Sequence, residues 1–243
     1  MSEWAGKRYW LVGASEGIGE ALARKLSAVG VHLILSARSE DKLNQLAEAL
    51  PGRADVVTID VSDMDSIREA AEKVGDVDGV VQLAGVYWPF GAKDWNADQA
   101  EAMADINFTG AMRLMGAVVP RFVERDRGHI VLTGSLSGFR GLPGAAAYTA
   151  SKAGIMVLAE SLHADLHKTN VKVQLVNPGF VKTRLTDKND FKMPFIMEPE
   201  EAAQQIFEHM TTDSFKRSFP AVFSWVFRGS QFLPDWLYYK LFA

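Results

Sequence analysis

The sequence predicts an α/β fold: a doubly wound, mainly parallel sheet with helices on both faces. Three observations carry that expectation. Apolar runs of strand length alternate with longer stretches of helical spacing along most of the chain. A glycine-rich turn separates the first apolar run from the first helical stretch. With 243 residues and 48% hydrophobic composition, the chain can bury one sizeable core, and no repeat, low-complexity tract or linker divides it. Residues 1–243 are therefore expected to form a single domain.

The expected strands are 9–12, 31–35, 56–59, 77–83, 130–132 and 171–176, and the expected helices are 19–29, 41–50, 63–74, 96–122 and 148–167. Local signals agree. Ser62 with Asp65 and Asn96 with Gln99 fit helix caps, and Glu198-Pro199-Glu200-Glu201 places proline and acids in a first helical turn. Six or seven β-α units fit this pattern. Composition shifts twice, at an irregular segment of about 184–200 and again at about 219–243, where aromatic residues accumulate.

The first turn reads Gly13-Ala14-Ser15-Glu16-Gly17-Ile18-Gly19. Glycines at this spacing allow a sharp turn, close approach of backbone to a pyrophosphate, and tight packing of helix on strand. The helix N-terminus then offers unpaired N–H groups and positive dipole to the phosphates. Gly13, Ser15, Glu16, Gly17, Ile18 and Gly19 are thus the expected cradle of a Rossmann-type dinucleotide fold. At the end of the second strand, Leu35-Ser36-Ala37-Arg38-Ser39 has no acid for a ribose hydroxyl at Ser36 or Ala37, and Arg38 offers a planar fork of donors for a 2′-phosphate. NADP(H) is favoured and NAD(H) stays open. Asp60, followed by Val61, closes the third strand and serves either an adenine amino group or a helix cap.

Tyr148 and Lys152 stand at i and i+4, on one face of one helical turn. Ser135 follows the 130–132 strand, and Asn177-Pro178-Gly179 follows the 171–176 strand, both at the carboxyl ends where parallel sheets bind ligands. Taken with Asp60, Ala84-Gly85, Asn107 and Thr183, these residues resemble the short-chain dehydrogenase/reductase family over roughly residues 7–183. The resemblance implies an oxidoreductase acting on a small-molecule carbonyl or alcohol. It implies Tyr148 as acid/base, Lys152 as its electrostatic partner and ribose ligand, Ser135 as carbonyl anchor and Asn107 as holder of a proton-relay water. It adds Val61, Ala84, Gly85, Pro178, Gly179, Val181 and Thr183 to the cofactor contacts, and implies a homodimer or homotetramer.

The chemistry is coherent without the family. Reducing a carbonyl by hydride creates an alkoxide that needs a proton donor in reach. A free tyrosine titrates near 10, and a neighbouring ammonium favours its phenolate. Two positions depart from the family pattern, Val12 before Gly13 and Gln82-Leu83 before Ala84-Gly85, and apolar packing of Val12 near Leu83 is expected to replace the usual polar link.

Other classes fare worse. A net charge of −4 gives no overall basic excess for nucleic acid, and the absence of cysteine removes disulfides and thiolate catalysis. The first ten residues lack the pattern of a signal peptide and no run reaches spanning length, so a cytoplasmic location is expected. His163 and His167 have zinc-helix spacing but lack the glutamate that follows the first histidine, and no catalytic metal is expected. The aromatic C-terminal segment stays open as a core, a lid over the cleft together with 186–197, a subunit interface, or a peripheral membrane contact. A dinucleotide-binding regulatory or redox-sensing protein with little turnover is the rival from another class, although such a binder has no need of Ser135, Tyr148 and Lys152 together.

Overall fold

The structure is a computed structural model that describes residues 3–191 and 193–242. Its elements in chain order are β1 (Arg8–Val12), α1 (Gly17–Ala28), β2 (His32–Ser36), α2 (Glu40–Ala49), β3 (Ala54–Val56), α3 (Met64–Val74), β4 (Gly79–Gln82) and α4 (Ala97–Met103). A π-helical segment, Ala104–Thr109, leads into α5 (Gly110–Glu124), followed by β5 (Gly128–Thr133), α6 (Ala146–Leu166), β6 (Val171–Pro178), α7 (Pro199–Met210), β7 (Lys216–Phe219), α8 (Ala221–Ser230) and α9 (Asp235–Phe242). The strands form one sheet in the order β3-β2-β1-β4-β5-β6-β7, and every pairing is parallel.

The buried strands explain why helices cover both faces. In β1, Trp10 and Val12 join one core cluster while Tyr9 and Leu11 join the other, and β5 divides Ile130 and Leu132 from Val131 in the same way. The first cluster packs under α3, α5 and α6, through Ile67, Leu114 and Ile155 among others. The second packs under α1, α2 and α7, through Leu22, Leu43 and Ile206. Each such leucine or isoleucine contributes about 1.5–3 kcal/mol on burial, so the two apolar layers far outweigh the exposed ion pairs.

Several expectations shift in detail. The 96–122 helix is interrupted by the π turn that carries Asn107. Val57 and Ile59 lie past the end of β3, although their N–H groups still donate to Leu35 and Ala37. The cap of α3 is Asp63, whose carboxylate accepts from Asp65 N–H, rather than Ser62. Asn96 caps α4 as expected. Strand β7 was not legible, because Lys-Arg-Ser-Phe at a sheet edge lacks an apolar run. Val12 packs in one core cluster and Leu83 against the other, so the two side chains do not replace the polar link. Backbone bonds from Leu83 and Ala84 N–H to Val12 O (2.8 and 2.9 Å) join the strands there.

Candidate active site

Two cavities open at the carboxyl ends of the strands. A groove of about 640 Å³ runs past the glycine turn and is lined by Gly13, Ser15, Glu16, Gly17, Ile18, Gly19, Arg38, Asp60, Val61, Ala84, Gly85 and Thr183, all expected cofactor residues. At Gly13 φ is +98°, and a Cβ there would lie 2.4 Å from Ala84 N. At Gly19 a Cβ would lie 2.0 Å from Gly13 O. Only glycine lets the β1 end, the turn and the β4 end approach this closely, and the groove beside them is the space a dinucleotide needs. Thr133 also lines the groove, and its buried Oγ1 has no hydrogen-bond partner among the described residues.

Charged side chains crowd the groove. Asp60 Oδ1 accepts from Ser62 N–H (2.9 Å) and its hydroxyl (2.6 Å). Burial pushes the Asp60 carboxyl up, but those bonds, with the charges of Arg38 and Arg113, outweigh it and hold the group below its ordinary range. Glu16 bridges Lys42 on α2 (3.0 Å) and Arg184 (2.7 Å). Ser39, Lys42, Lys182 and Arg184 line the groove as well. Sequence reasoning missed them, since only the fold brings the end of β2 and the segment after β6 to one rim.

The second cavity, about 480 Å³, holds Ser135 and Tyr148 on its wall among Leu136, Phe180, Phe191, Phe223 and Phe227. Leu185 lines both cavities. Ser135 precedes a short 3-10 turn, Leu136–Phe139, and its hydroxyl oxygen accepts from both the N–H (3.2 Å) and the hydroxyl (3.0 Å) of Ser137. Tyr87 meets the Tyr148 ring edge-on at 4.9 Å between centroids, and its hydroxyl donates to Asn189. Burial pushes the Tyr148 phenol up to about 12, against a hydrogen bond with Ser135 that lowers it. Burial pushes the Lys152 ammonium down to about 8. Lys152 Nζ donates to Thr133 O (3.0 Å) and lies 5.8 Å from the Tyr148 ring centre. The protein on its own thus favours the neutral phenol, which differs from the phenolate that charge proximity alone predicts.

Asn107 is fully buried in the π turn, where one extra residue per turn re-aims its side chain. Its Oδ1 accepts from Val86 N–H (2.7 Å), and its Nδ2 donates to Val86 O (3.0 Å) and Ser151 Oγ (3.1 Å). Ser151 in turn donates to Tyr148 O (2.7 Å), so one chain of bonds ties the loop after β4 to the helix carrying the Tyr/Lys pair. Of the remaining expected residues, Gly179 lines the second cavity, whereas Pro178 and Val181 line neither, Val181 being buried in the core.

The lid expectation needs correction. Helix α8 does wall the cavity, through Phe223 and Phe227. Helix α9 does not line it; Tyr238 packs instead on Arg140 (3.9 Å to the ring centre) and donates to Gly141 O (2.5 Å). Ala243, part of the same expected segment, lies outside the described residues. From the 186–197 segment Phe191 lines the cavity, while Met197 joins the core and Phe195 packs on Phe223. His163 stacks on Phe215, His32 pairs with Asp55, and His129 is held between Tyr9 and Gln174.

Comparison with known proteins agrees with this geometry. The family model described as short chain dehydrogenase matches residues 7–193. A Myxococcus xanthus protein described as an uncharacterized oxidoreductase is 38% identical over 245 residues, covering 98% of this chain and 97% of its own. A similarly described protein of Staphylococcus epidermidis is 36% identical over 208 residues, with 84% and 90% covered. Among solved structures, a short-chain dehydrogenase from Sphingobium yanoikuyae in complex with NADPH superposes with a TM-score of 0.82 at 25% identity, covering 88% of each chain. An alcohol dehydrogenase from the archaeon Thermococcus sibiricus complexed with 5-hydroxy-NADP gives 0.80 at 26% identity, covering 88% and 95%.

Proposed function

This chain belongs to the short-chain dehydrogenases, and from that premise we propose that it is an NADP(H)-preferring enzyme interconverting a carbonyl and a secondary alcohol on an apolar small molecule. Ser135 and Tyr148 side by side on the wall of an aromatic cavity, next to the glycine-lined groove, carry the proposal. The whole chain acts as one unit in it, since the sheet runs from β1 to β7 beneath both cavities.

Gly13, Gly17, Gly19, Arg38 and Asp60 would hold a nicotinamide cofactor in the groove, and that cofactor would supply or accept the hydride. Everything else falls to side chains. The Ser135 hydroxyl anchors the substrate oxygen. Ser137, through its N–H and its hydroxyl, steadies the Ser135 hydroxyl on the cavity wall that it shares with Tyr148. Tyr148, whose phenol burial pushes up from its ordinary value to about 12, is protonated at neutral pH, which suits a donor. As the proton leaves, the Lys152 ammonium offsets the charge developing on the phenol. Asn107 fixes the spacing between the loop after β4 and Tyr148. Aromatic walls exclude water and favour apolar substrates. The preference for NADP(H) is supported by Arg38, assisted by Lys42 on the same rim, with no acid at Ser36 or Ala37.

Fluorescence titration with NADPH and NADH, alongside steady-state rates on ketones of graded size, tests both halves. NADPH should bind more tightly, and Arg38→Ala should weaken it by about 10- to 100-fold, the worth of a charge-assisted bond, with NADH little affected. Tyr148→Phe should lower kcat by about 10²- to 10⁴-fold with NADPH affinity retained. Tighter NADH binding refutes the cofactor preference, and an undiminished kcat removes Tyr148 from the mechanism.

A further inference from the structure

Helices α8 and α9 are each two-faced. Their inner sides are committed: Phe223 and Phe227 to the substrate cavity, Tyr238 to Arg140 and Gly141. Their outer sides carry large apolar groups that nothing among the described residues covers. Seven of the fifteen exposed large hydrophobic side chains among the described residues lie between Val222 and Leu241. Trp225 is 68% exposed, Phe232 88%, Trp236 70% and Tyr239 60%. Isolated exposed apolar residues need no explanation, but a concentration of this kind marks an interaction surface.

Charge indicates what the surface meets. The one carboxylate in residues 219–242, Asp235, is tied to Arg140 at 2.6 Å. The two cations of the segment, Arg228 and Lys240, have no ion pair among the described residues, and Arg228 lies 5.4 Å from the Trp225 ring centre. A face of tryptophan and tyrosine flanked by cations is complementary to an anionic lipid interface, where amphipathic rings sit at headgroup depth and cations meet phosphates. Pairing the same face with a second copy would gather four unpaired cations in one contact, and interface cores are depleted in charge. Helix α8 carries both features, since Phe223 and Phe227 line the cavity while Trp225 and Val226 are exposed. No helix among the described residues is long and apolar enough to cross a membrane, so attachment would be to one leaflet.

We propose that α8 and α9 form a docking surface for an anionic lipid bilayer. The test is flotation of the full chain with vesicles of phosphatidylcholine, alone or mixed with phosphatidylglycerol, with no substrate present, so that it stands or falls separately from the reductase assay. The protein should float with the anionic vesicles, less with phosphatidylcholine alone, and less at high salt. Trp225→Ser with Trp236→Ser should cut the vesicle-bound fraction about tenfold while NADPH titration and Tm stay at wild-type values. Arg228→Glu with Lys240→Glu should remove only the gain from phosphatidylglycerol. The proposal is overturned if the wild type floats with neither vesicle, or if the tryptophan variant floats like the wild type. It is also overturned if that variant turns a dimer into a monomer in sedimentation while the wild type ignores vesicles, an outcome that assigns the face to a second copy.

Discussion

The glycine-lined groove and the aromatic cavity are built from different materials. At Gly13 and Gly19 the shape is set by backbone against backbone, and a single added methyl would lie 2.0–2.4 Å from main-chain atoms. At Phe191, Phe223 and Phe227 the shape is set by rings on an irregular segment and on α8: Phe223 packs on Phe227, Phe180 and Phe195, and Phe191 packs on Phe180. Backbone contacts tolerate no substitution, so the groove can serve one constant ligand. Side-chain walls can be exchanged at little cost to the fold, so the cavity is where a substrate range can be set.

The contrast can be broken first at the groove. Gly13→Ala forces a positive φ on a residue with a Cβ and a clash with Ala84, a combined cost of about 2–5 kcal/mol. Calorimetry should show Tm falling by roughly 5–15 °C, and NADPH titration should show affinity lost along with it. A stable variant with normal affinity would mean that the turn is far more pliable than its contacts indicate.

Between the two regions sits Lys152, whose burial is a built-in strain. Its folded pKa of about 8 lies below the ordinary lysine value, so between about pH 8 and 10.5 the unfolded chain holds a proton that the folded chain has released. Stability from this group therefore rises with pH across that window and is lowest below it. Lys152→Met should lower kcat by about 10²-fold or more, and its stability relative to the wild type, measured by denaturant midpoints, should be best below pH 8 and decline towards pH 10.5. A pH-independent difference would show that Lys152 is hydrated in the folded protein.

The smallest effect belongs to the ring wall. Phe227→Ala should raise KM for bulky apolar ketones about 5- to 10-fold, a loss of order 1 kcal/mol of apolar contact, with small ketones, NADPH affinity and Tm nearly unchanged. Removing α9 should instead lower Tm without that selectivity, since α9 supports the 140–145 loop through Arg140 and Tyr238 rather than touching the cavity. Equal KM losses for large and small ketones in Phe227→Ala would merge the two regions into one rigid site.

The parallel sheet, its two covering layers and the glycine turn were legible in the sequence because each depends on local spacing: alternation within a strand, helical repeat between strands, glycines where backbone must bend. Ser135 was named from its place at a strand end and Tyr148 with Lys152 from their spacing on one helical turn, whereas Asn107 was named only through the family resemblance. Tertiary structure alone decided the rest. Strand β7 gains its place from pairing with β6, not from its own polar residues. The π turn that aims Asn107 packs against α6 between α4 and α5. The basic rim brings Lys42 together with Lys182 and Arg184 from separated segments, and the 3-10 turn after Ser135 folds the Ser137 hydroxyl back onto it. Most telling is the aromatic tail, whose composition marked it as apolar without saying which rings would face inward. Hydrophobicity is a property of residues, but burial is a property of the surfaces they meet, so only packing could send Phe223 and Phe227 to the cavity and leave Trp225 and Trp236 outside.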